Sequence, residues 1–166
     1  MFEFKTRRVQ MNGKELTFYY LPHPGAVAVI PVDGDRIALI RQLRPSIDRT
    51  IWEVPAGTLE PGEDPAACAA RELAEETGYR AERITPLASF YVAPGYSAEY
   101  LHLFKAEGLT PGEPNREVGE SIEEVAWFTL EEAAGLIRSG ALADAKSIIA
   151  VQSLILDKFE QMRIQS

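Results

Sequence analysis

Three glutamates lie close together in the segment ELAEETG, near the middle of the chain. In a helix, the side chains of Glu72, Glu75 and Glu76 would share one face, because residues three and four positions apart are neighbours there. Carboxylates at this spacing repel one another by about 0.2–0.5 kcal/mol per pair. A hard divalent cation such as Mg²⁺ or Mn²⁺ binds clustered carboxylate oxygens and relieves that repulsion. The spacing therefore indicates a metal site, although a solvated acidic helix face shows the same pattern.

Start and stop signals for a helix flank these glutamates. Asp64 followed by Pro65 is the expected N-cap and first helical residue, and Gly78 is the expected stop. The sequence therefore predicts a helix over 65–77.

This helix is also expected to contain an ion pair and a buried face. Arg71 lies four residues before Glu75, close enough to hold that carboxylate in place. On the side opposite the glutamates are the residues expected to pack into the core: Ala66, Ala70, Leu73 and Thr77.

Apolar runs and turn residues predict the remaining elements. Asn-Gly and Asp-Gly pairs in MNGK and VDGD favour tight turns, so the chain is expected to open with two hairpins. Thr129 and Glu132 form a capping-box pattern at the start of a second helix, over 130–140, and a third helix is expected over 143–162. This order predicts an α+β fold, an αβα sandwich with a mixed sheet. Strands are expected at about 3–10, 15–21, 25–32, 36–42, 84–92, 98–105 and 122–128.

Composition limits the classes of function. A chain of 166 residues that is 46% hydrophobic fits one globular domain. Its net charge of −8 argues against non-specific binding to nucleic acid or to an anionic membrane. No apolar run has the length of a signal peptide or a membrane span, and Cys68 is the only cysteine. We therefore expect a cytoplasmic protein without disulfides.

From Gly57 to Tyr79 the sequence reads G-x5-E-x7-R-E-L-x-E-E-x-G-Y. This pattern resembles the Nudix box, with a departure at Tyr79, where the family has an aliphatic residue. The resemblance implies an αβα sandwich in which the loop and helix of the box bind divalent metals. It also implies hydrolysis of a nucleoside diphosphate linked to another group.

The resemblance assigns roles to individual residues. Glu72 and Glu76 correspond to direct metal ligands, and Glu75 to a residue that acts on the metal or on its waters. The backbone carbonyl of Ala56, just before the box glycine, corresponds to a further ligand. Two or more Mg²⁺ or Mn²⁺ ions are implied for each site. The residues implied to support the box are Gly57, Glu63 and Arg71.

The segment RQLRPSIDRTIWEVPAG, residues 41–57, resembles that of ADP-ribose and nucleoside diphosphate sugar pyrophosphatases. Arg41 and Arg44 are expected to bind the substrate, because a guanidinium group contacts diphosphate oxygens at two points. The alternative is that both arginines are ordinary surface charges after a strand. Two roles are open for Glu53: accepting hydrogen bonds from a ribose or a base, or an ion pair with one of these arginines.

Two markers of substrate preference lie close together in YVAPGYSAEY. Pro94 stands fifteen residues after Tyr79, a spacing that resembles ADP-ribose pyrophosphatases. Tyr96 resembles the marker of diadenosine polyphosphate hydrolases. We favour the first marker because the surrounding residues also resemble the ADP-ribose group, and we expect Pro94 and Tyr96 to lie at the substrate site. The alternative to a substrate marker is that Pro94 and Gly95 only form a turn.

A loop rich in Pro, Gly and Glu is expected at 110–121. ADP-ribose pyrophosphatases supply a glutamate from such a loop as the general base or as part of the metal site. By this resemblance Glu120 is the better candidate for the base and an additional metal ligand, and Glu117 is the second candidate.

Residues 1–22 form an apolar hairpin ahead of the hydrolase domain expected over 23–166, whose box spans 57–79. An extra hairpin leaves an exposed edge that a second chain would cover. The resemblance also implies a homodimer in which this region makes dimer contacts and holds the adenine of the partner's ligand. Phe18, Tyr19 and Tyr20 are candidates to stack on that adenine, and at least one of them is expected to pack in the dimer core instead. The alternative is a monomer with the hairpin folded onto its own sheet.

These observations predict Mg²⁺-dependent hydrolysis of ADP-ribose to AMP and ribose 5-phosphate, without nucleic acid or membrane as a partner. Another nucleoside diphosphate sugar or a diadenosine polyphosphate is an alternative substrate. An alternative of another class is a catalytically silent domain that senses nucleotides.

Overall fold

The computed structural model describes residues 3–116 and 121–165. Within these ranges the chain forms nine strands and three helices, which confirms the α+β class. The strands are β1 (Lys5–Met11), β2 (Lys14–Tyr20), β3 (Ala26–Asp33), β4 (Arg36–Arg44), β5 (Arg49–Glu53), β6 (Ala56–Thr58), β7 (Arg80–Tyr91), β8 (Tyr100–Thr110) and β9 (Ile122–Thr129). The helices are α1 (Pro65–Thr77), α2 (Leu130–Ser139) and α3 (Ala145–Gln165).

Strands β1 and β2 form a two-stranded antiparallel sheet of their own. The turn between them is the predicted Asn-Gly pair, and both residues have positive φ, 52° at Asn12 and 73° at Gly13. This is the backbone that a two-residue hairpin turn requires, and it is accessible to Asn and Gly at low cost.

The other seven strands form a mixed sheet with the order β5-β4-β3-β8-β7, in which β6 also pairs with β3 and β9 with β4. Strand β3 is at the centre. It pairs in parallel with β8, antiparallel with β6 at its start, and antiparallel with β4 only at its end. The box loop, which begins in β6, is therefore attached directly to the central strand.

Helices cover both faces of this sheet. On β3, Ala28 and Ile30 belong to a core cluster shared with α2 and α3, whereas Val27 and Val29 pack in a second cluster with Leu73 of α1. Alternate residues of a strand point to opposite faces, so a strand buried on both sides must be apolar throughout. The result is the predicted αβα sandwich.

Several boundaries differ from the sequence-based expectation. Strands β5 and β6 were not expected, because they have only five and three residues and Pro55 lies between them. Strand β7 begins at Arg80, four residues earlier than predicted. Helix α3 begins two residues later, because Asp144 caps it by accepting a hydrogen bond from Ser147 N–H.

The buried face of α1 also differs from the prediction. Ala70 is exposed, whereas the acidic residues Glu72 and Glu76 are buried together with Leu73. The helix is therefore rotated so that part of its acidic face points into the protein, toward β6.

None of the helices in the described part of the chain is both long enough and apolar enough to cross a membrane.

Candidate active site

Helix α1 begins and ends at the predicted residues. The Asp64 side chain accepts hydrogen bonds of 3.0 Å from the backbone N–H groups of Ala66 and Ala67. At the other end, Gly78 has a left-handed backbone, with φ of 79°, and its N–H donates to the Ala74 carbonyl. Both caps satisfy backbone groups that the helix leaves unpaired. The sequence-based bounds of this helix are confirmed.

Two of the three clustered glutamates are buried against β6. Glu72 is 6% exposed and Glu76 is 1% exposed. Oε2 of Glu76 accepts a hydrogen bond of 2.9 Å from Ala56 N–H. A Cβ atom placed on Gly57 would lie only 1.8 Å from Oε1 of Glu72, so only glycine leaves room for this carboxylate.

Arg71 connects three acidic residues of the box, Glu63, Glu72 and Glu75. Its Nη1 atom lies 2.8 Å from Oε1 of Glu72 and 3.0 Å from Oε2 of Glu75, which confirms the expected contact with Glu75. Its Nε and Nη2 atoms donate to the two oxygens of Glu63, at 2.9 and 3.1 Å. These hydrogen bonds from Arg71 lower the pKa of Glu63 to about 2. Arg71 therefore joins the loop before α1 to the acidic face.

The carboxylates of this acidic face are the candidate donors for a divalent metal. In the described ranges, no three His, Cys, Asp or Glu residues are arranged to hold a metal ion, and the Glu72 carboxylate is turned toward Arg71. However, Glu72 and Glu76 place two buried carboxylates one helical turn apart, beside a loop whose glycine makes room for one of them. Buried carboxylates require cationic or hydrogen-bonding partners, and oxygen donors of this kind suit Mg²⁺ and Mn²⁺. These residues fit the metal.

A cleft opens beside the box loop, and we call it the cationic cleft. It is lined by Arg44, Lys146, Ala56, Gly57 and Glu99, among others. Its volume is about 200 Å³. The cleft therefore places the side chains of Arg44 and Lys146 next to the backbone of Ala56, whose carbonyl is the further candidate metal ligand.

The two cations share one buried carboxylate, Glu53, which is 1% exposed. Arg44 donates to both of its oxygens, at 2.7 and 2.6 Å, and Lys146 Nζ lies 2.5 Å from Oε2. Burial raises the pKa of Glu53, but the hydrogen bond from Arg44 and the charge of Lys146 outweigh burial and lower it overall. Of the two roles left open for Glu53, the structure shows the ion pair.

The structure does not bring Arg41 and Arg44 together. They are three residues apart on β4, so their side chains leave opposite faces of the strand. The Nε atom of Arg41 lies 3.8 Å from Oε2 of Glu123. A role of Arg41 in substrate binding stays a prediction.

Pro94 and Tyr96 lie in a second cleft, which we call the aromatic cleft. Backbone hydrogen bonds join this turn to the N-terminal hairpin, from Leu21 N–H to the Tyr96 carbonyl at 2.7 Å and from Ala98 N–H to the Leu21 carbonyl at 2.9 Å. Ser97 and Ala98 line the aromatic cleft, and the next residue, Glu99, lines the cationic cleft. The aromatic cleft has a volume of about 460 Å³, and its lining includes Arg7, Phe18, Tyr19, Tyr20, Tyr91, Pro94 and Tyr96.

Glu117 and Glu120 lie outside the described residues, but both flanks of their segment are described. Arg116 donates from Nε to the Glu76 carbonyl, at 3.3 Å, and from Nη1 to the Ile122 carbonyl, at 2.9 Å. Asn115 N–H donates to the Glu75 carbonyl at 3.0 Å. The flanks are therefore fixed at the C-terminal end of α1.

Sequence reasoning missed Lys146 and Arg116. A lysine at the start of a helix and an arginine in a polar loop carry no local signal for the site, because Glu53 and the Glu76 carbonyl, which they contact there, are 93 and 40 positions away. The departure at Tyr79 has a structural explanation: its ring packs edge-on against Trp127 at 5.6 Å, and its hydroxyl accepts a hydrogen bond from the indole. An aliphatic residue would not provide that acceptor.

Comparison with known proteins identifies relatives along most of the chain. The profile of the NUDIX domain matches residues 22–151. The ADP-ribose pyrophosphatase of Bacillus subtilis (strain 168) is 46% identical over 147 residues, which cover 87% of this chain and 80% of that protein. The methanol dehydrogenase activator of Bacillus methanolicus is 40% identical over 149 residues, which cover 89% of this chain and 80% of that protein.

A solved structure shows the same fold. The crystal structure of an ADP compounds hydrolase superposes with a TM-score of 0.87 and covers 97% of this chain and 88% of its own. Its sequence is 22% identical to this chain, so the likeness concerns the fold.

Proposed function

The chain belongs to the NUDIX domain family, and we propose that it hydrolyses the diphosphate bond of ADP-ribose, giving AMP and ribose 5-phosphate. The observation that carries the proposal is the burial of Glu72 and Glu76 against Gly57, next to a cleft with Arg44 and Lys146. The 46% identity to an ADP-ribose pyrophosphatase supports the choice of substrate.

In this proposal Glu72, Glu76 and the Ala56 carbonyl hold Mg²⁺ or Mn²⁺, with two or more ions in each site. Glu75 contributes directly or through metal-bound water. Bound metal supplies charge stabilisation at the phosphate and lowers the pKa of a water molecule. Arg71 and Glu63 hold the acidic face in position, as their mutual hydrogen bonds support.

The proposed general base is Glu120, with Glu117 as the second candidate. A base must come within hydrogen-bond reach of the attacking water. The contacts of Arg116 with the carbonyls of Glu76 and Ile122 support this assignment, because they fix both flanks of the acidic segment beside the metal-binding helix.

Arg44 is the proposed ligand of the substrate diphosphate. Its guanidinium faces the cationic cleft, and this group pairs with phosphate oxygens at two points. The aromatic cleft, with Pro94 and Tyr96, is proposed to receive the adenine of a ligand bound by a second copy of the chain, because aromatic rings stack on nucleobases. Arg41 is retained as a further candidate for diphosphate binding.

The chain is proposed to act as a homodimer, in which residues 1–22 serve dimerisation and residues 23–166 form the hydrolase domain. A two-stranded hairpin is marginally stable alone. In the described chain β1 and β2 form a separate sheet and leave large apolar side chains exposed. A second copy would cover them, and Phe18, Tyr19 or Tyr20 would then stack on the partner's adenine. The exposed residues are Met11, Leu16, Phe18 and Tyr19.

A cytoplasmic location is also proposed. The single cysteine, Cys68, which is buried, supports it, because disulfides are rare in a reducing compartment.

A substrate panel tests the reaction. Purified protein with Mg²⁺ is incubated with ADP-ribose, ADP-glucose, GDP-mannose and diadenosine polyphosphates, and a phosphatase then releases phosphate from the monoester products. The proposal expects the highest kcat/KM for ADP-ribose. A clear preference for another compound moves the substrate to that class, and binding without turnover of any compound supports a nucleotide sensor instead.

A further inference from the structure

Lys146 lies in the first turn of α3, at the edge of the cationic cleft. Its Nζ atom contacts Oε2 of Glu53 at 2.5 Å and Oδ2 of Asp144 at 2.9 Å. Glu53 and Lys146 are 93 residues apart in sequence, and Lys146 is outside the box. No step of the proposed reaction uses Lys146.

The start of α3 is fixed against the strand that leads into the box loop. The hydroxyl of Ser147, which is fully buried, accepts a hydrogen bond of 2.8 Å from Val54 N–H. Asp144 accepts both from Lys146 and from the backbone N–H of Ser147. The backbone of Lys146 is therefore held in place relative to Glu53.

The Glu53 carboxylate contacts two cationic side chains. Arg44 donates to both carboxylate oxygens, and Lys146 donates to one of them. A buried carboxylate that loses one cationic partner depends more strongly on the other. Without Lys146, Glu53 would hold the Arg44 guanidinium alone. It would then compete more effectively with a phosphate for the same donor groups.

We propose that Lys146 is a positioning residue for diphosphate binding, which acts through Glu53 to keep the Arg44 guanidinium available to the ligand. Arg44 contacts the diphosphate, and Lys146 balances the charge of Glu53 from the other side. The inference rests on the proposed function only for the class of ligand, a diphosphate, and does not depend on which diphosphate is hydrolysed.

The first test measures binding without turnover. Isothermal titration calorimetry with Mg²⁺ and α,β-methylene-ADP compares the wild type with Lys146→Met, which keeps the length of the side chain and removes its charge. The Kd is expected to rise about tenfold, the scale of one charge-assisted hydrogen bond. Lys146→Arg is expected to restore most of the affinity. A lower Tm for Lys146→Met with an unchanged Kd would show a purely structural role and overturn the proposal.

A matched control comes from the same helix. Lys158→Met makes the same change of charge on α3, about 18 Å along the helix from Lys146 at 1.5 Å per residue. Lys158 lines a different groove, near Leu130 and Asp157. The control is expected to leave the Kd within about twofold of the wild type, because exposed charges at this distance are screened. An equal loss of affinity in both variants would mean a general charge effect and overturn the proposal.

A double-mutant cycle decides whether Lys146 acts through Glu53. Lys146→Met is expected to have no further effect on the Kd in a Glu53→Gln background. The same fold-change in both backgrounds would mean direct contact of Lys146 with the ligand, and the proposal would be wrong. If Glu53→Gln is not folded by circular dichroism, Arg44→Gln provides the second background, with the same expectation.

Results that contradict the proposed function differ from results that contradict the role of Lys146. A wild-type protein that binds the analogue but hydrolyses nothing in the substrate panel contradicts the hydrolase proposal, and the cycle still decides the role of Lys146. A wild-type protein that binds no diphosphate contradicts both.

Discussion

Gly57 and Glu72 are packed so closely that a single Cβ atom on Gly57 would lie 1.8 Å from the Glu72 carboxylate. This contact joins β6 to the middle of α1. It explains why the box needs glycine at this position, since the glycine makes room for the glutamate.

Gly57→Ala is therefore expected to displace Glu72 and weaken metal binding. We expect a loss of turnover of at least about a hundredfold, the scale of a mispositioned catalytic group. The Kd for Mn²⁺, followed by electron paramagnetic resonance, should rise in parallel. Gly135→Ala in α2 is the control, because its Cβ meets nothing closer than 3.9 Å. Unchanged Mn²⁺ affinity in Gly57→Ala would contradict the close approach.

Glu72→Gln and Glu76→Gln each remove a charged metal ligand and keep the size of the side chain. Turnover at saturating Mg²⁺ is expected to fall by about two or more orders of magnitude. The Tm without metal should change little, because glutamine retains an acceptor for the Ala56 N–H. Near wild-type turnover in either variant would show that the ligands are wrongly assigned.

Glu120→Gln tests the proposed base. A base acts in the transition state, so kcat should fall by about 10²–10⁴-fold while the Kd of α,β-methylene-ADP changes little. Glu117→Gln is the matched control on the same segment. If Glu117→Gln causes the larger loss of kcat, the role of the base belongs to Glu117.

The pH dependence of stability tests the ion pairs of Glu53. Burial raises the pKa of its carboxyl, but Arg44 and Lys146 lower it by more, so the folded-state pKa is below the unfolded value of about 4.3. The contribution to stability is therefore complete above the unfolded pKa and is lost as pH falls through the folded pKa. The Tm of the wild type, scanned from pH 7 to pH 3, should fall more steeply below about pH 4.3 than that of Glu53→Gln. Parallel curves would contradict this assignment.

The homodimer is tested by light scattering at micromolar concentration and by deletion of residues 1–22. We expect twice the chain mass of 18.4 kDa for the full chain. The deletion variant should be monomeric with a raised KM, because the aromatic cleft loses Phe18, Tyr19 and Tyr20. A full-length monomer with the same activity as the deletion variant would rule out this role of the hairpin.

Much of the site was predictable from the sequence because its signals are local. Asp64 and Gly78 determine the ends of α1 by hydrogen bonds within a few residues, and the Arg71–Glu75 pair follows from a spacing of four on a helix. The resemblance to the Nudix box pointed to the same glutamates. These relationships hold wherever a helix forms, so they do not depend on the rest of the fold.

Tertiary structure decided the surroundings of that helix. Periodicity on α1 did not predict that Glu72 and Glu76 face inward, because the burial of a carboxylate depends on which loop packs against it. Arg41 and Arg44 look equivalent in sequence, yet strand geometry sends them to opposite faces. The partnership of Glu53 with Lys146 joins residues 93 positions apart, because α3 packs back against the strand before the box loop. Contacts of this kind follow from the packing of whole elements, which local sequence patterns do not encode.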